Sequence, residues 1–309
     1  MQYLVKYLRI TVTCSLLACC PGLAGAQTLT VATWNIENFW HVPAQSLRGP
    51  HQGREVKREA GDYAALRALI ADVDADVWAL QEIGSPEAAR TLFPVDQWRL
   101  IFSPRYAATA QRDIYTALVI HRDLGPPLET DVIPLEVQPG NRLGLAARLE
   151  VDGQSLWVTS VHLKAGCQYD RPHHHHDRPA CATLARQLEV LEGWVDAHAD
   201  RGLILMGDFN RTFMGDRRRR PSGLGPVWQD LNDGEPLPLF AFPFTPEVDC
   251  PEAKHGARTW PIDFIITDAH WALRARPGPY VRPMGAKNMS DHCPVVVEFD
   301  SASAIDRRL

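Results

Sequence analysis

Short apolar runs alternate along the chain with amphipathic stretches, and polar groups gather where the runs stop. Leu29–Thr33 is a strand-like run that ends at Trp34-Asn35. Tyr63–Asp74 sets Leu66, Leu69, Ile70 and Val73 at the i, i+3, i+4, i+7 spacing of one helical face. Asp76–Leu80 is a short buried strand with Gln81-Glu82 at its end, and Trp98–Phe102 and Tyr115–His121 read as further strands. Arg142–Val151 and Ser155–Val161 flank Asp152-Gly153, a hairpin signal, and His162 follows the second run directly. Thr183–Ala197 places Leu184, Leu188, Leu191, Trp194 and Val195 on one helical face. Leu203–Met206 leads into Gly207-Asp208, and Phe264–Thr267 and Val295–Phe299 are the last strands. Residues 41–62 and Arg217–Pro251 read as loops, and Ser301–Leu309 as a frayed tail. Strands outnumber helices and the helices fall between them, so the pattern predicts a layered α/β or α+β domain without an internal boundary or repeat.

The chemistry-bearing residues sit at the ends of these runs, in TWNIEN (Thr33–Asn38), LQEI (Leu80–Ile83), SVHLK (Ser160–Lys164), GDFN (Gly207–Asn210), PIDFI (Pro261–Ile265) and Ser290-Asp291-His292-Cys293-Pro294. Asn35 and Glu82 offer an amide oxygen and a carboxylate, hard ligands suited to Mg²⁺ or Mn²⁺. Asp208 and Asn210 lie two residues apart, and on an extended backbone such residues point to the same side. Asp291 puts a metal-type acid beside His292, and Asp263 is a carboxylate able to orient that imidazole. His162 supplies a second acid or base. Taken singly, each has a bland reading as a surface acid, a turn residue or a packed histidine. The case rests on their convergence.

The ordered set Asn35, Glu82, His162, Asp208, Asn210, Asp263, Asp291 and His292 resembles the endonuclease/exonuclease/phosphatase superfamily, from about Leu29 to Phe299. That family includes secreted deoxyribonucleases, abasic-site endonucleases, neutral sphingomyelinases and inositol-polyphosphate phosphatases. The resemblance implies a four-layer α/β sandwich, two packed mixed β-sheets flanked by helices. It also implies hydrolysis of a phosphate ester dependent on Mg²⁺, with Mn²⁺ as the substitute. Asn35, Glu82 and Asp291 would then serve the metal, and Asp208 and Asn210 would orient water or phosphate. His292, polarised by Asp263, would be the general base, and His162 would donate to a phosphate oxygen or the leaving group. Two departures bear on the substrate. Pro261 stands where the family often has a basic residue, and His162 is a position that is His in deoxyribonucleases and sphingomyelinases but Tyr in abasic-site enzymes. A phosphodiesterase, above all a nuclease, is the expected function. A phospholipid or sugar-phosphate phosphodiesterase is the alternative on the same fold. A non-catalytic binding module is the reading from another class, and retention of all eight polar positions argues against it.

Composition adds location and charge. Lys6 and Arg9, the apolar stretch Ile10–Cys20 and Ala24-Gly25-Ala26 follow the order of an export signal. Residues 1–26 are therefore expected to be cleaved, leaving a domain over 27–300, a tail over 301–309, and a periplasmic or secreted, monomeric protein with no stable protein partner. No later run is long and apolar enough to span a membrane. Losing Lys6 and Arg9 from 32 Lys+Arg leaves 30 against 37 Asp+Glu, a net −7. Long-range charge therefore does not draw nucleic acid, and a polyanionic substrate needs a cation or a local basic patch. Arg217 and Arg218, in the run Arg217–Arg220, are candidate substrate contacts. The tract His173–His176 reads as a solvated loop more than a metal trap. Cys167, Cys181, Cys250 and Cys293 remain after cleavage and allow three pairings. Cys167 with Cys181 is expected, closing a loop at a gain of about 3 kcal/mol, and Cys250 with Cys293 follows.

Overall fold

The computed structural model describes residues 28–48, 55–109, 112–167, 178–198, 202–213, 226–234, 238–243, 248–251, 258–259, 261–286 and 288–301. The expected signal, His173–His176, Arg217–Arg220 and the tail past residue 301 lie outside them. In chain order the elements are β1 (Leu29–Phe39), α1 (Ala60–Val73), β2 (Val77–Ile83), α2 (Pro86–Leu92), β3 (Trp98–Phe102), α3 (Pro104–Thr109), β4 (Tyr115–His121), β5 (Glu129–Ile133), β6 (Gly144–Val151) and β7 (Gln154–His162). They continue with α4 (Pro179–Asp196), β8 (Leu203–Asp208), α5 (Pro226–Leu231), β9 (Leu239–Phe242), β10 (Val248–Asp249), β11 (Arg258–Thr259), β12 (Asp263–Asp268), α6 (Ala269–Ala272) and β13 (Val295–Phe299). Residues 217–251, expected to be loop, contain α5, β9 and β10. The Leu-Phe-Ala-Phe run of β9 pairs with β12, a tertiary partner that a Pro- and Gly-rich window conceals.

Two mixed sheets carry the molecule. One has the order β13-β1-β2-β4-β3 and the other β5-β6-β7-β8-β12-β9. The β1–β2 and β7–β8 pairs are parallel. The central strands β1, β2, β4, β7, β8 and β12 are buried on both faces, so they read as near-continuous apolar runs, while the edge strands β3, β5 and β9 are partly exposed. Val31, Val77, Ala79, Leu118, Leu145, Val158, Ile204, Met206 and Ile265 fill the space between the sheets. Trp34, Trp78 and Leu80 point the other way, against Leu66 and Ile70 of α1 and Ala88 and Ala89 of α2. Trp157, Leu203, Leu205 and Phe264 do the same against Leu184, Leu188 and Leu191 of α4. The result is helix, sheet, sheet, helix.

This alternation positions the site. In β1 the odd residues face the inter-sheet core, and the series passes from Val31 through Thr33 to Asn35. In β8 the even residues do so, ending at Asp208. In β7 the inward set runs Leu156, Val158, Ser160, His162, and in β12 Ile265 and Asp263 share that side. At one end of the sandwich the apolar interior therefore becomes polar. Gln81 marks the change: fully buried, it donates from Nε2 to Thr33 Oγ1 and to Ser160 Oγ, both at 3.2 Å, and so joins the two sheets beneath the site. Two disulfides, Cys167–Cys181 and Cys250–Cys293, are formed.

Candidate active site

Three adjacent strands of the six-stranded sheet end side by side. His162 is the register partner of Asp208, and Asp208 of Asp263. His162 Nε2 lies 3.4 Å from Asp208 Oδ2. The other sheet supplies Asn35 and Glu82. Asn35 Nδ2 donates to Asp208 Oδ2 at 3.0 Å and to Glu82 Oε1 at 3.4 Å. Its oxygen is taken by the Glu37 N–H at 3.0 Å. In this orientation the amide nitrogen of Asn35 bridges two carboxylates. Glu82 is in the left-handed region, φ +60°, where the β2–β4 register shifts. That break turns its carboxylate to the site, and the Asn38 N–H fixes it with a 2.9 Å hydrogen bond to Oε2. Asn210 also meets Asp208, though not through the pleat: it lies past the strand with φ +50°. Its backbone N–H donates to Asp208 Oδ1 at 2.7 Å and its Nδ2 to Asp208 Oδ2 at 3.2 Å and Leu163 O at 3.0 Å.

Asp291 and His292 arrive on the loop before β13. Ser290 Oγ donates to Asn35 O at 2.6 Å and accepts from His292 N at 3.0 Å, while Trp34 Nε1 donates to His292 O at 2.8 Å. Buried Arg58 clasps the same loop to the end of β1, donating to Asn288 O, Met289 O, Ile36 O and Glu37 O. His292 Nδ1 sits 2.7 Å from Asp263 Oδ2, and its Nε2 3.8 Å from Asp291 Oδ1. One ligand-type atom from each of Asp208, Asp263 and His292 lies within 4.8 Å of the others.

The charges are strongly coupled. Burial raises the Asp208 carboxyl to about 7, reinforced by Asp263 and opposed by His292 and by hydrogen bonds from Asn35 and Asn210. Burial alone would lower His292, but Asp263, by charge and hydrogen bond, with Asp208 and Asp291, carries it well above its usual value. Burial drives His162 well below its usual value, helped by the charges of Arg142, His292, Arg48 and Lys164. Arg142 and Arg48 have no sequence signature beyond being basic. Arg142 precedes β6, donates to Leu163 O, and feels Glu82 and Asp208. Glu37 lies within TWNIEN, yet nothing in the motif marks it as the buried acid beside Arg58. Arg217 and Arg218 fall outside the described residues.

The donor set suits a divalent cation. Asp263 Oδ1 is buried without a hydrogen-bond partner, and Asp208 is ionised at a cost. Carboxylate oxygens gathered in this way could take a hard cation. Such a cluster, at the ends of strands from two packed sheets, has the acids and imidazoles that hydrolysis of a phosphate ester needs. The chain belongs to the Endonuclease/Exonuclease/phosphatase family, whose model matches residues 32–292. It is similar in fold to D. rerio TDP2 complexed with single strand DNA product (16% identity, TM-score 0.60, 89% of this chain and 99% of that one). It is likewise similar to the 3' phosphatase NExo from Neisseria bound to product DNA hairpin (18%, 0.57, 88% and 99%). The human Nocturnin catalytic domain with bound sulfate anion also matches (17%, 0.54, 88% and 94%). No curated protein sequence matches the chain. No helix among the described residues is long and apolar enough to cross a membrane.

Proposed function

We propose that the protein is an exported, Mg²⁺-dependent phosphodiesterase acting on nucleic acid. The observation that carries this reading is the meeting of Asp208, Asn210 and His162 with the Asp263–His292 pair and Glu82 at one end of the sandwich. Glu82 and Asp291 would hold Mg²⁺, with Asp208 beside them; the ion when bound neutralises phosphate charge and stabilises the leaving oxygen. Asn35 keeps Glu82 and Asp208 in place. His292, held protonated by Asp263, donates from Nε2 to a phosphate oxygen, which moves the base role away from it. Asp208, with its carboxyl near 7, orients the attacking water and takes its proton. His162 stays neutral and donates a hydrogen bond, keeping its proton, from Nε2 to the phosphate or to the leaving oxygen. Arg142, Arg48 and Lys164 give an acidic protein the local positive charge that a polyanion needs. The DNA in two structural neighbours supports a nucleic-acid substrate over a lipid. The two disulfides support an oxidising compartment.

Purified protein is incubated with DNA, RNA, phospholipid and sugar phosphates, with Mg²⁺ and with EDTA. Hydrolysis of DNA or RNA that EDTA abolishes and Mg²⁺ restores is expected. Glu82→Gln should lose at least about 100-fold in turnover at an unchanged thermal midpoint. EDTA-resistant turnover, or a Glu82→Gln enzyme of normal rate in excess Mg²⁺, refutes the metal assignment. Hydrolysis confined to phospholipid refutes the substrate. Mass spectrometry of the exported protein should give Gln27 as the first residue.

A further inference from the structure

At the end of the five-stranded sheet away from the catalytic cluster lies a hollow of about 270 Å³, lined by Phe93, Val95 and Trp98 and by Arg90, Arg99 and Arg122. Arg90 belongs to the last turn of α2, Arg99 to edge strand β3, and Arg122 follows β4. Arg99 is opposite Ile120, and Ile120 is opposite Val77, the first residue of β2. Glu82 lies near the other end of β2, about 16 Å further along at the strand rise of ~3.3 Å per residue. The hollow is therefore separate from the candidate active site.

Three guanidinium groups share this hollow, Arg90 and Arg122 exposed and Arg99 half-buried. Among the described residues none of them has an ion-pair partner, whereas Arg105, Arg148, Arg274 and Arg276 each pair with a carboxylate. Glu87 feels the charge of Arg90 without forming a pair, and Asp123 lies 3.5 Å from His121. Two backbone carbonyls fix the cationic planes: Arg99 Nη1 donates to Arg122 O at 3.0 Å, and Arg122 Nε donates to Val95 O at 2.9 Å. Each of these two guanidinium groups gives one N–H to a carbonyl, and no other hydrogen bond among the described residues uses the rest of the fork, which leaves donors for an oxyanion. The aromatic part has its own order. Trp98 meets Phe93 edge to face at 5.3 Å and His121 at 4.9 Å, and stays partly exposed. In a chain of net charge −5, such a cluster of unpaired cations against an aromatic surface asks for an anion with a flat ring. The volume is just below that of drug-sized pockets and suits a small ligand.

We infer that this hollow binds a small anion carrying an aromatic ring, of the nucleoside monophosphate class, with phosphate on Arg99 and Arg122 and the base against Trp98. The inference does not depend on the proposed function. Calorimetric titration with adenosine 5′-monophosphate in EDTA tests it, on the wild type, on Arg99→Gln/Arg122→Gln, and on Glu82→Gln/His292→Ala, with thermal midpoints checked. Binding by the wild type and by the Glu82→Gln/His292→Ala protein, weakened at least 10-fold in the arginine variant, is expected. Adenosine alone and inorganic phosphate alone should each bind at least 10-fold more weakly. Arg90→Gln, on the exposed end of α2, replaces the pair if that variant does not fold, and should weaken binding several-fold. No binding at millimolar ligand, binding unchanged by the arginine substitutions, or binding lost only in the Glu82→Gln/His292→Ala protein overturns the inference.

Discussion

The Asp263–His292 pair gives the sharpest test of the active-site reading. Asp263→Asn keeps a hydrogen-bonding group 2.7 Å from His292 Nδ1 but removes its charge. Opposite charges about 4 Å apart at an effective dielectric of about 20 attract by about 4 kcal/mol. At 1.36 kcal/mol per decade this predicts a loss of roughly 10²–10³ in kcat/KM. His292→Ala removes the imidazole and should lose about as much or up to tenfold more. Asp263 also repels Asp208, and that relief persists when His292 is absent. The double variant should therefore be no worse than His292→Ala, and the coupling energy should be about 3–4 kcal/mol. The assay is kcat/KM on a DNA oligonucleotide and on bis(p-nitrophenyl) phosphate, with circular dichroism to show that all four proteins are folded. Losses that multiply fully in the double variant would mean independent roles, and the pair would not be a functional unit.

Other outcomes follow from single contacts. Gly207→Ala should cost at least about 3 kcal/mol in urea unfolding, because φ is +155° and a Cβ there would lie 2.1 Å from Val161 O; a cost under about 1 kcal/mol contradicts this geometry. Asp113 ties Arg48 at 3.1 Å to Arg105 at 2.9 Å. Burial would raise its carboxyl, but Ile114 N–H and the two arginines hold it below the usual value. A depressed carboxyl stabilises the fold above its unfolded pKa and stops doing so as pH falls through the folded one. Asp113→Asn should thus cost about 1–2 kcal/mol at pH 7 and progressively less below about pH 4, and a cost independent of pH would contradict the charge argument. Replacing Cys167 and Cys181 by Ala opens a bridge of sequence separation 14 and should lower stability by about 3 kcal/mol in chemical denaturation.

Most of the site's chemistry is legible along the chain. Polar residues at Glu82, His162, Asp208 and Asp263 are legible at or beside the ends of apolar runs, because burial on both faces of a central strand demands near-continuous hydrophobicity. Asn35, expected to end the first strand, lies inside β1, which runs on to Phe39. The helices α1 and α4 were legible through their own period, which sets apolar residues on one face. What the strands pair with was decided by the tertiary structure. Only the register His162–Asp208–Asp263 sets those side chains in a row. The backbone break at Glu82 reverses the direction that simple alternation assigns, the one at Asn210 brings its amide to Asp208 by a turn instead of the pleat, and left-handed residues leave no periodic trace. The Gly207 requirement comes from Val161 in a neighbouring strand. Arg142, Arg48 and Arg58 acquire their roles by distance in space, and a basic side chain in a loop looks alike in sequence whether it meets water or a carboxylate. Local pattern thus marks which polar residues border the apolar runs, while long-range packing fixes which of them meet.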